Sequence, residues 1–205
     1  HSTIKQQGRY AKYVYGYSAV FTKKRSVHRG RTIIGMDKFI KKEANRMAAV
    51  KEKRVEDSMI EQVHKLRPTH MNGMGRLFGG QLMSWIDEVA CLVGNRHSQA
   101  NVITASVDNL RFIRGAYVNE LIVMIAKMTY VGHTSMEVRV DTYVESMDGM
   151  RRPINRAYLT IVAVDENGKP CEVPGLIIET EAEKVEWQAG QKRREMRMVR
   201  RKEGF

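Results

Sequence analysis

One long amphipathic helix followed by four consecutive strand patterns constrains the fold of this sequence more than any other feature. Between about Gly80 and His97 the apolar residues recur at spacings of three and four, on one helical face: Leu82, Ile86, Val89, Ala90 and Val93. Four runs rich in Val, Ile, Thr and Tyr follow, at about 102–113, 120–131, 135–144 and 154–164. A shorter apolar pattern before the helix predicts a fifth strand, at Met59, Ile60, Val63 and Leu66. This order predicts an α+β domain with a mostly antiparallel sheet. A single helix leaves one sheet face uncovered, which favours oligomerisation.

The positive charge of the chain is concentrated at its two ends. A net charge of +12 on 205 residues would by itself suggest nucleic acid or an anionic membrane as a partner. Residues 1–54 carry a net charge of +12 and residues 184–205 carry +5, whereas residues 55–183 carry −5. We therefore predict no specific binding of nucleic acid. No membrane span is predicted either, since no apolar run approaches the roughly 18 residues that a span requires.

The two ends are predicted to be extensions of a central domain at residues 58–178. Residues 1–35 contain no Asp or Glu, which is typical of an organelle-targeting presequence. We favour non-native sequence instead, because the chain begins with His and has internal methionines at Met36 and Met47. An i, i+3, i+4 pattern predicts a helix at about 36–55 within the basic extension 1–57. Residues 179–205 are predicted to form a solvated, charged helical tail.

The cysteines and histidines show no spacing typical of a disulfide framework or a metal site. The chain has two cysteines, Cys91 and Cys171, which are too few for such a framework. The histidines are scattered, as at His64, His70, His97 and His133. We therefore predict no metal, no cofactor and a reducing, cytoplasmic location.

The residues with the clearest chemical potential lie in a glycine-rich loop that leads into the long helix. The loop glycines let the backbone approach a ligand closely: Gly73, Gly75, Gly79 and Gly80. The free N–H groups at the start of the helix favour an anion, such as the oxyanion that develops from a carbonyl. Asn72 offers an amide beside the loop, and Asp87 lies two turns into the helix in an apolar context. By themselves these features are more often a tight packing turn and a solvated aspartate.

The stretch from Asn72 to Ala90 resembles the signature of the hotdog acyl-CoA thioesterases. It reads Asn-x-x-Gly-x-Leu-Phe-Gly-Gly-x-Leu-Met-x-Trp-Ile-Asp-Glu-x-Ala. It is most similar to the broad-specificity bacterial single-domain type and to the cytosolic long-chain acyl-CoA hydrolases of animals. Supporting matches lie at 104–108, 111–113, 131–138, 163–165 and 170–174, so that the resemblance covers about residues 57–176.

The resemblance implies a hotdog fold, in which a five- to six-stranded antiparallel sheet wraps a long central helix. It implies a homodimer, assembled further into a hexamer as a trimer of dimers, with Asp87 of one subunit facing Asn72 of the partner subunit. The implied activity is hydrolysis of acyl-CoA to free fatty acid and CoA. Asp87 would be the general base, or alternatively a nucleophile, and Asn72 would hold the water or the thioester. The backbone N–H groups of Gly79 and Gly80 would polarise the carbonyl.

The same resemblance implies four substrate-binding residues. Thr134 and Ser135 follow a glycine at the edge of the acyl-CoA site. Arg111 and Arg114 are candidates to contact CoA phosphates, the alternative being exposed charges on the sheet. Gly115 stands where the family usually has proline, which predicts a looser turn beside Arg114.

Two other functions compete with hydrolysis. A non-catalytic hotdog protein would bind acyl-CoA and sense it as a regulator, but residues 36–57 are too short for the helix-turn-helix that such regulators attach. A hotdog dehydratase would need a His/Asp pattern on the helix, which residues 79–88 do not supply. An acyl-CoA thioesterase is therefore the function that the sequence predicts.

Overall fold

The computed structural model describes residues 51–204 of the chain. Its strands and helices, in chain order, are β1 (Glu52–Arg54), α1 (Val55–Ser58), β2 (Ile60–Lys65), α2 (Gly79–Ser98), β3 (Asn101–Phe112), β4 (Leu121–Val131), β5 (Ser135–Glu145), β6 (Arg151–Val164), β7 (Gly175–Ile177) and α3 (Glu181–Glu203). A short 3₁₀ turn at Pro68–His70 precedes the glycine-rich loop. None of the described helices is long and apolar enough to cross a bilayer.

Five strands form one antiparallel sheet in the order β2-β4-β5-β6-β3. Beside it, β1 pairs in parallel with β7 in a two-stranded sheet. Strands β4, β5 and β6 are joined by short turns, so that neighbours in the chain are neighbours in the sheet, whereas β3 crosses over to pair with β6. This architecture confirms the predicted α+β class and the predicted five strands.

Helix α2 packs its apolar face on the inner face of the sheet. Its buried residues are those that the periodicity placed on one side, together with Trp85, Gly94 and His97. A Cβ atom at Gly94 would lie 3.0 Å from Cγ2 of Ile161, so glycine lets the helix approach β6 closely. Each fully buried large apolar side chain contributes about 1.5–3 kcal/mol of hydrophobic stabilisation. The hydrophobic core therefore lies between α2 and the sheet.

Helix α3 lies against the outer face of the sheet, opposite α2. Thr180 caps its first turn by accepting from the backbone N–H of Glu183, whose carboxylate accepts from the backbone N–H of Thr180 in return. Trp187 packs on Tyr130, with ring centroids 4.6 Å apart. A helix thus lies where the sequence suggested a charged helical tail, and it packs on the sheet instead of extending into solvent. The sheet's second face is thus partly covered within a single chain.

The ionic contacts of α3 explain why a highly charged helix docks. Arg193 and Arg197 bind both carboxylate oxygens of Glu137, a residue of β5 that is only 1% exposed. The guanidinium of Arg193 also lies 3.8 Å from the centroid of the Tyr158 ring. A buried carboxylate is costly without partners, so Glu137 requires the helix to stay in place.

The predicted N-terminal extension is described only at its end. Residues 1–50 lie outside the described residues, and with them most of the helix predicted at about 36–55. The described part corrects that prediction, because Glu52–Arg54 forms β1, held by pairing to β7. Val55 and Ser58 of α1 are buried, so the residues just before 58 pack with the central domain.

Candidate active site

The glycine-rich loop is closed by the side chain of Asn72. Its Oδ1 accepts hydrogen bonds from the backbone N–H groups of Met74, at 2.9 Å, and Arg76, at 3.2 Å. Gly75 has a φ of +69°, which glycine adopts without strain. The amide oxygen of Asn72 is thus used inside the loop, and within the described residues its NH₂ group makes no hydrogen bond. The side chain is fixed with two donors available to a ligand.

The glycine-rich loop leads directly into α2, which begins at Gly79. Phe78 is the N-cap residue and its side chain makes no capping hydrogen bond, so the first N–H groups have no side-chain acceptor in the part of the chain that the structure describes. A Cβ atom at Gly80 would lie 2.5 Å from the Phe78 ring, so glycine at this position leaves room for that ring. The backbone N–H groups of Gly79 and Gly80 therefore lie where the helix dipole favours negative charge, and their role as an oxyanion site stays a prediction.

Asp87 is held on the exposed side of α2 by a hydroxyl from β3. Thr104 Oγ1 donates to Asp87 Oδ1 at 2.5 Å. Thr104 stands just before a register shift between β3 and β6 at Ala105. The sequence reasoning missed a role for Thr104, although the residue lies in one of the segments that carried the resemblance. The contact fixes one carboxylate oxygen and leaves Oδ2 without a partner among the described residues.

Cys91 lies one turn beyond Asp87 and also faces Thr104. Its Sγ is 3.4 Å from Thr104 Oγ1. Burial raises the pKa of the Cys91 thiol, and the nearby charge of Asp87 acts in the same direction. A thiol with a raised pKa is a poor nucleophile at neutral pH, so Cys91 is better explained as a packing residue.

Two histidines near the loop pack against α2. The ring of His64 stacks on Trp85 with centroids 4.3 Å apart, and His70 meets the same indole edge-on at 5.0 Å. Burial lowers the pKa of His64. His70 Nδ1 accepts from the backbone N–H of Arg67 at 3.2 Å. These contacts fasten β2 and the loop to α2 and so fix the position of Asn72.

Within one chain, Asn72 and Asp87 are not joined by any hydrogen bond between described residues. Nor are the predicted substrate-binding residues gathered around Asp87. Ser135 lines a cavity between the sheet and α3, on the face opposite α2, and Thr134 lies in the same β4–β5 turn. Arg111 and Arg114 are exposed, and their guanidinium groups make no ion pair with described residues. The turn at Gly115 is anchored to the loop, because Leu77 N–H donates to the carbonyl of Ala116 at 2.8 Å.

A serine–histidine pair lies apart from this site and is fully buried. Ser58 Oγ is 3.1 Å from His97 Nδ1, and His97 Nε2 lies 2.9 Å from the carbonyl oxygen of Pro174. Burial lowers the pKa of His97. Since Nε2 must donate to the carbonyl, Nδ1 of the neutral ring accepts from Ser58. The pair joins α1 and α2 to the segment before β7.

An antiparallel sheet wrapped around one long helix, with a glycine loop at the helix start and a carboxylate two turns inside, defines a hotdog-fold protein of the thioesterase type. The chain belongs to the Thioesterase superfamily, whose family model matches residues 74–149. It is 37% identical over 128 residues to an uncharacterized acyl-CoA thioester hydrolase of Bacillus subtilis, a match that covers 62% of this chain and 74% of that protein. By contrast, it spans only 24% of the acetyl-coenzyme A thioesterase of Mus musculus and 38% of the cytosolic acyl coenzyme A thioester hydrolase of Rattus norvegicus.

Two solved structures show the same fold. The acyl-CoA hydrolase of Staphylococcus aureus, in complex with butyryl coenzyme A, coenzyme A and coenzyme A disulfide, is 33% identical with a TM-score of 0.70, and the match covers 74% of this chain and 93% of that one. A hexameric acyl-CoA thioesterase without ligand is 36% identical with a TM-score of 0.71, covering 74% and 97%.

Three variants of the Staphylococcus aureus hydrolase carry alanine in place of an asparagine, an aspartate and a threonine. In that protein the asparagine and aspartate are 15 residues apart, and the aspartate and threonine are 17 apart. Asn72, Asp87 and Thr104 have the same two spacings in this chain.

Proposed function

We propose that this chain hydrolyses acyl-CoA to a free fatty acid and CoA, with Asp87 as the general base. The observation that carries the proposal is the carboxylate of Asp87, held by Thr104 at 2.5 Å, on a helix whose first turn offers uncapped glycine N–H groups. The relatives named as acyl-CoA thioester hydrolases, and the neighbour bound to butyryl coenzyme A, support this substrate class.

In the proposed mechanism, Asp87 Oδ2 takes a proton from a water molecule as the water oxygen attacks the thioester carbonyl carbon. The carbonyl oxygen gains negative charge, which the backbone N–H groups of Gly79 and Gly80 stabilise. Collapse of the tetrahedral intermediate breaks the carbon–sulfur bond and the CoA sulfur leaves as a thiolate. The thiolate takes the proton from the Asp87 carboxyl group, which regenerates the carboxylate, and the hydroxyl group from water stays on the fatty acid. Because Thr104 occupies Oδ1, the proton-accepting oxygen is fixed in one orientation.

We propose that the complete site forms between two copies of the chain. The NH₂ group of Asn72 has no partner among the described residues and does not meet Asp87 of its own chain. Among the described strands, β3 is an edge strand whose outer side is unpaired, and it carries Ile103 and Val107, which are 53% and 42% exposed. Pairing of two β3 edges would bury these side chains and bring the two half-sites together. Further assembly to a hexamer, contacts of Arg111, Arg114 and Thr134 with CoA, and a cytoplasmic location remain parts of this proposal.

An acyl-CoA panel with thiol detection tests the chemistry. We expect Asp87→Ala to reduce kcat by about 10²- to 10⁴-fold, the usual contribution of a general base. Glu88→Ala is the matched control, because it removes the neighbouring exposed carboxylate and should retain near-wild-type turnover. Equal turnover in wild type and Asp87→Ala would exclude Asp87 from the mechanism. Binding of acyl-CoA without thiol release in the wild type would identify a sensor instead.

A mixing experiment tests the shared site. Asn72→Ala and Asp87→Ala proteins, each inactive alone, are unfolded, mixed in equal amounts and refolded. Random pairing gives mixed dimers in which one of the two sites has both wild-type residues, so about a quarter of the wild-type activity should return. Mixtures that remain inactive, although mixed dimers are shown to form, would place both residues in a site within one chain.

A further inference from the structure

The sheet and α3 line a cavity that the proposed chemical step at Asp87 does not use. Its volume is about 770 Å³, within the range typical of small-molecule sites. One wall is formed by arginines of α3, namely Arg194, Arg197, Arg200 and Arg201. The opposite wall belongs to β3, β5 and β6. It carries hydroxyl groups at Ser106, Ser135 and Thr160 beside apolar side chains such as Val162.

Two of the four arginines are already neutralised by carboxylates of the sheet. Arg197 Nη1 lies 2.8 Å from Asp108 Oδ2 and 3.2 Å from Glu137 Oε2. Arg200 Nη2 lies 3.1 Å from Asp108 Oδ1. The same Glu137 also binds Arg193, so Asp108 and Glu137 are both engaged in holding the helix.

Arg194 and Arg201 make no ion pair with any described residue. They are seven residues apart, so they lie on the same side of α3 and about 10.5 Å apart along its axis. Arg194 reaches the β4–β5 turn, since its Nε is 4.0 Å from where a Cβ of Gly132 would be. Among the described residues, the cavity thus has a guanidinium without a carboxylate partner towards each end of its arginine wall, and one of them stands beside the turn that precedes Ser135.

We propose that this cavity binds the phosphate groups of a nucleotide-type ligand. Arginine binds phosphate through paired N–H donors, the wall hydroxyls offer further donors, and the apolar side chains suit an organic ring. This chemistry has two sources, which are free nucleoside phosphates and the phosphorylated adenosine portion of CoA. The CoA source rests on the proposed function. In that case α3 would be part of the substrate site, because Ser135, a predicted substrate-binding residue, also lines the cavity.

Calorimetric titration of the full chain with ADP, CoA and adenosine tests the proposal and separates its sources. We expect Arg194→Gln/Arg201→Gln to raise the Kd of a phosphate-bearing probe about tenfold or more, since each charge-assisted contact is worth roughly a factor of ten. Lys192→Gln/Lys202→Gln removes two charges from the same helix outside the cavity and should leave that Kd unchanged. Unchanged melting temperatures establish that both variants are folded.

The pattern of losses identifies the source. An arginine-dependent Kd for CoA but not for ADP assigns the cavity to CoA, and the reverse assigns it to free nucleotides. Adenosine, which lacks phosphate, should show no difference between the variants. The proposal is overturned if the arginine pair changes no probe's Kd more than the lysine pair does. Neither CoA nor ADP is hydrolysed, so this outcome is independent of whether Asp87 proves catalytic.

Discussion

Replacement of Gly190 by alanine tests whether α3 is docked on the sheet, because the two alternatives give stability changes of opposite sign. Gly190 is the buried residue of α3. A Cβ atom added there would lie 2.7 Å from Cβ of Tyr130 and 3.0 Å from Glu137 Oε1. The Tyr130 Cβ is attached directly to the backbone of β4, so it cannot rotate away. The helix itself would have to move outward.

The magnitude follows from two opposing contributions. Overpacking of a well-packed contact costs about 1–3 kcal/mol. Alanine in place of glycine in a helix interior contributes about 1 kcal/mol of stabilisation by itself. Any outward movement of α3 also weakens the ion pair between Arg193 and the buried Glu137. We therefore expect Gly190→Ala to reduce the free energy of unfolding by about 1–2 kcal/mol, which corresponds to a melting temperature roughly 2–8 °C lower.

Urea unfolding followed by circular dichroism measures this change, with the m-value as a check that the unfolding transition is the same. The matched control is the pair of variants Gln188→Gly and Gln188→Ala, since Gln188 is an exposed residue of the same helix. There the alanine variant should be the more stable by about 1 kcal/mol. Suppose that Gly190→Ala is more stable than the wild type by as much as Gln188→Ala is more stable than Gln188→Gly. The helix would then be a solvated tail, and the docking of α3 would be refuted.

Three further predictions concern single residues. Thr104→Val removes the donor to Asp87 at nearly constant volume and should lower kcat about 10- to 100-fold with little change in KM, measured by steady-state thiol release. An unchanged kcat would remove Thr104 from the site. Glu137→Ala leaves Arg193 and Arg197 without their buried partner and should cost about 3–5 kcal/mol in urea unfolding; a loss below 1 kcal/mol would contradict the ionic docking of α3. Because burial lowers the pKa of His97, the unfolded chain takes up this proton first as pH falls. The stability contributed by neutral His97 is thus complete above about pH 6.5 and should decline below it, by at most about 1.4 kcal/mol per pH unit. His97→Gln should flatten the dependence of unfolding free energy on pH between 7.5 and 5.5, and an equal slope in both proteins would contradict this.

The long helix and the five strands of the main sheet could be predicted because their patterns are local. The three- and four-residue spacing of apolar side chains placed α2 to within one residue at each end. The strands were also found within about three residues of their bounds, since alternating or continuous apolar residues reflect burial on one or two faces. The candidate site was located for the same reason, because Asn72, Gly79, Gly80 and Asp87 lie within one short loop-to-helix segment.

The features that were missed depend on partners distant in the sequence. β1 has three residues and is defined by pairing with β7, about 120 positions away, so it has no periodicity of its own. Thr104 contacts Asp87 only because β3 passes beside α2. Arg193 and Arg197 were interpreted as solvated because their partner Glu137 is 56 and 60 residues away. The alternation of polar and apolar residues in β5 places Glu137 on the outer face of the sheet, which by itself indicates a solvent-exposed residue.

Different interactions hold the helices on the two faces of the sheet, namely apolar packing for α2 and ion pairs for α3. This difference explains why α3 is so highly charged. On the inner face α2 is held by apolar area, which is tolerant of small shifts in register. On the outer face Glu137 and Asp108 can be satisfied only if Arg193, Arg197 and Arg200 meet them in one register, so ion pairs fix the position of α3. Docking requires no further positive charge on that side, yet Arg194 and Arg201 line the same cavity. The repulsion between Arg194 and Arg201, and of both with Arg197, destabilises the docked helix. Only a negatively charged ligand in the cavity would make the electrostatic contribution of these arginines to docking favourable.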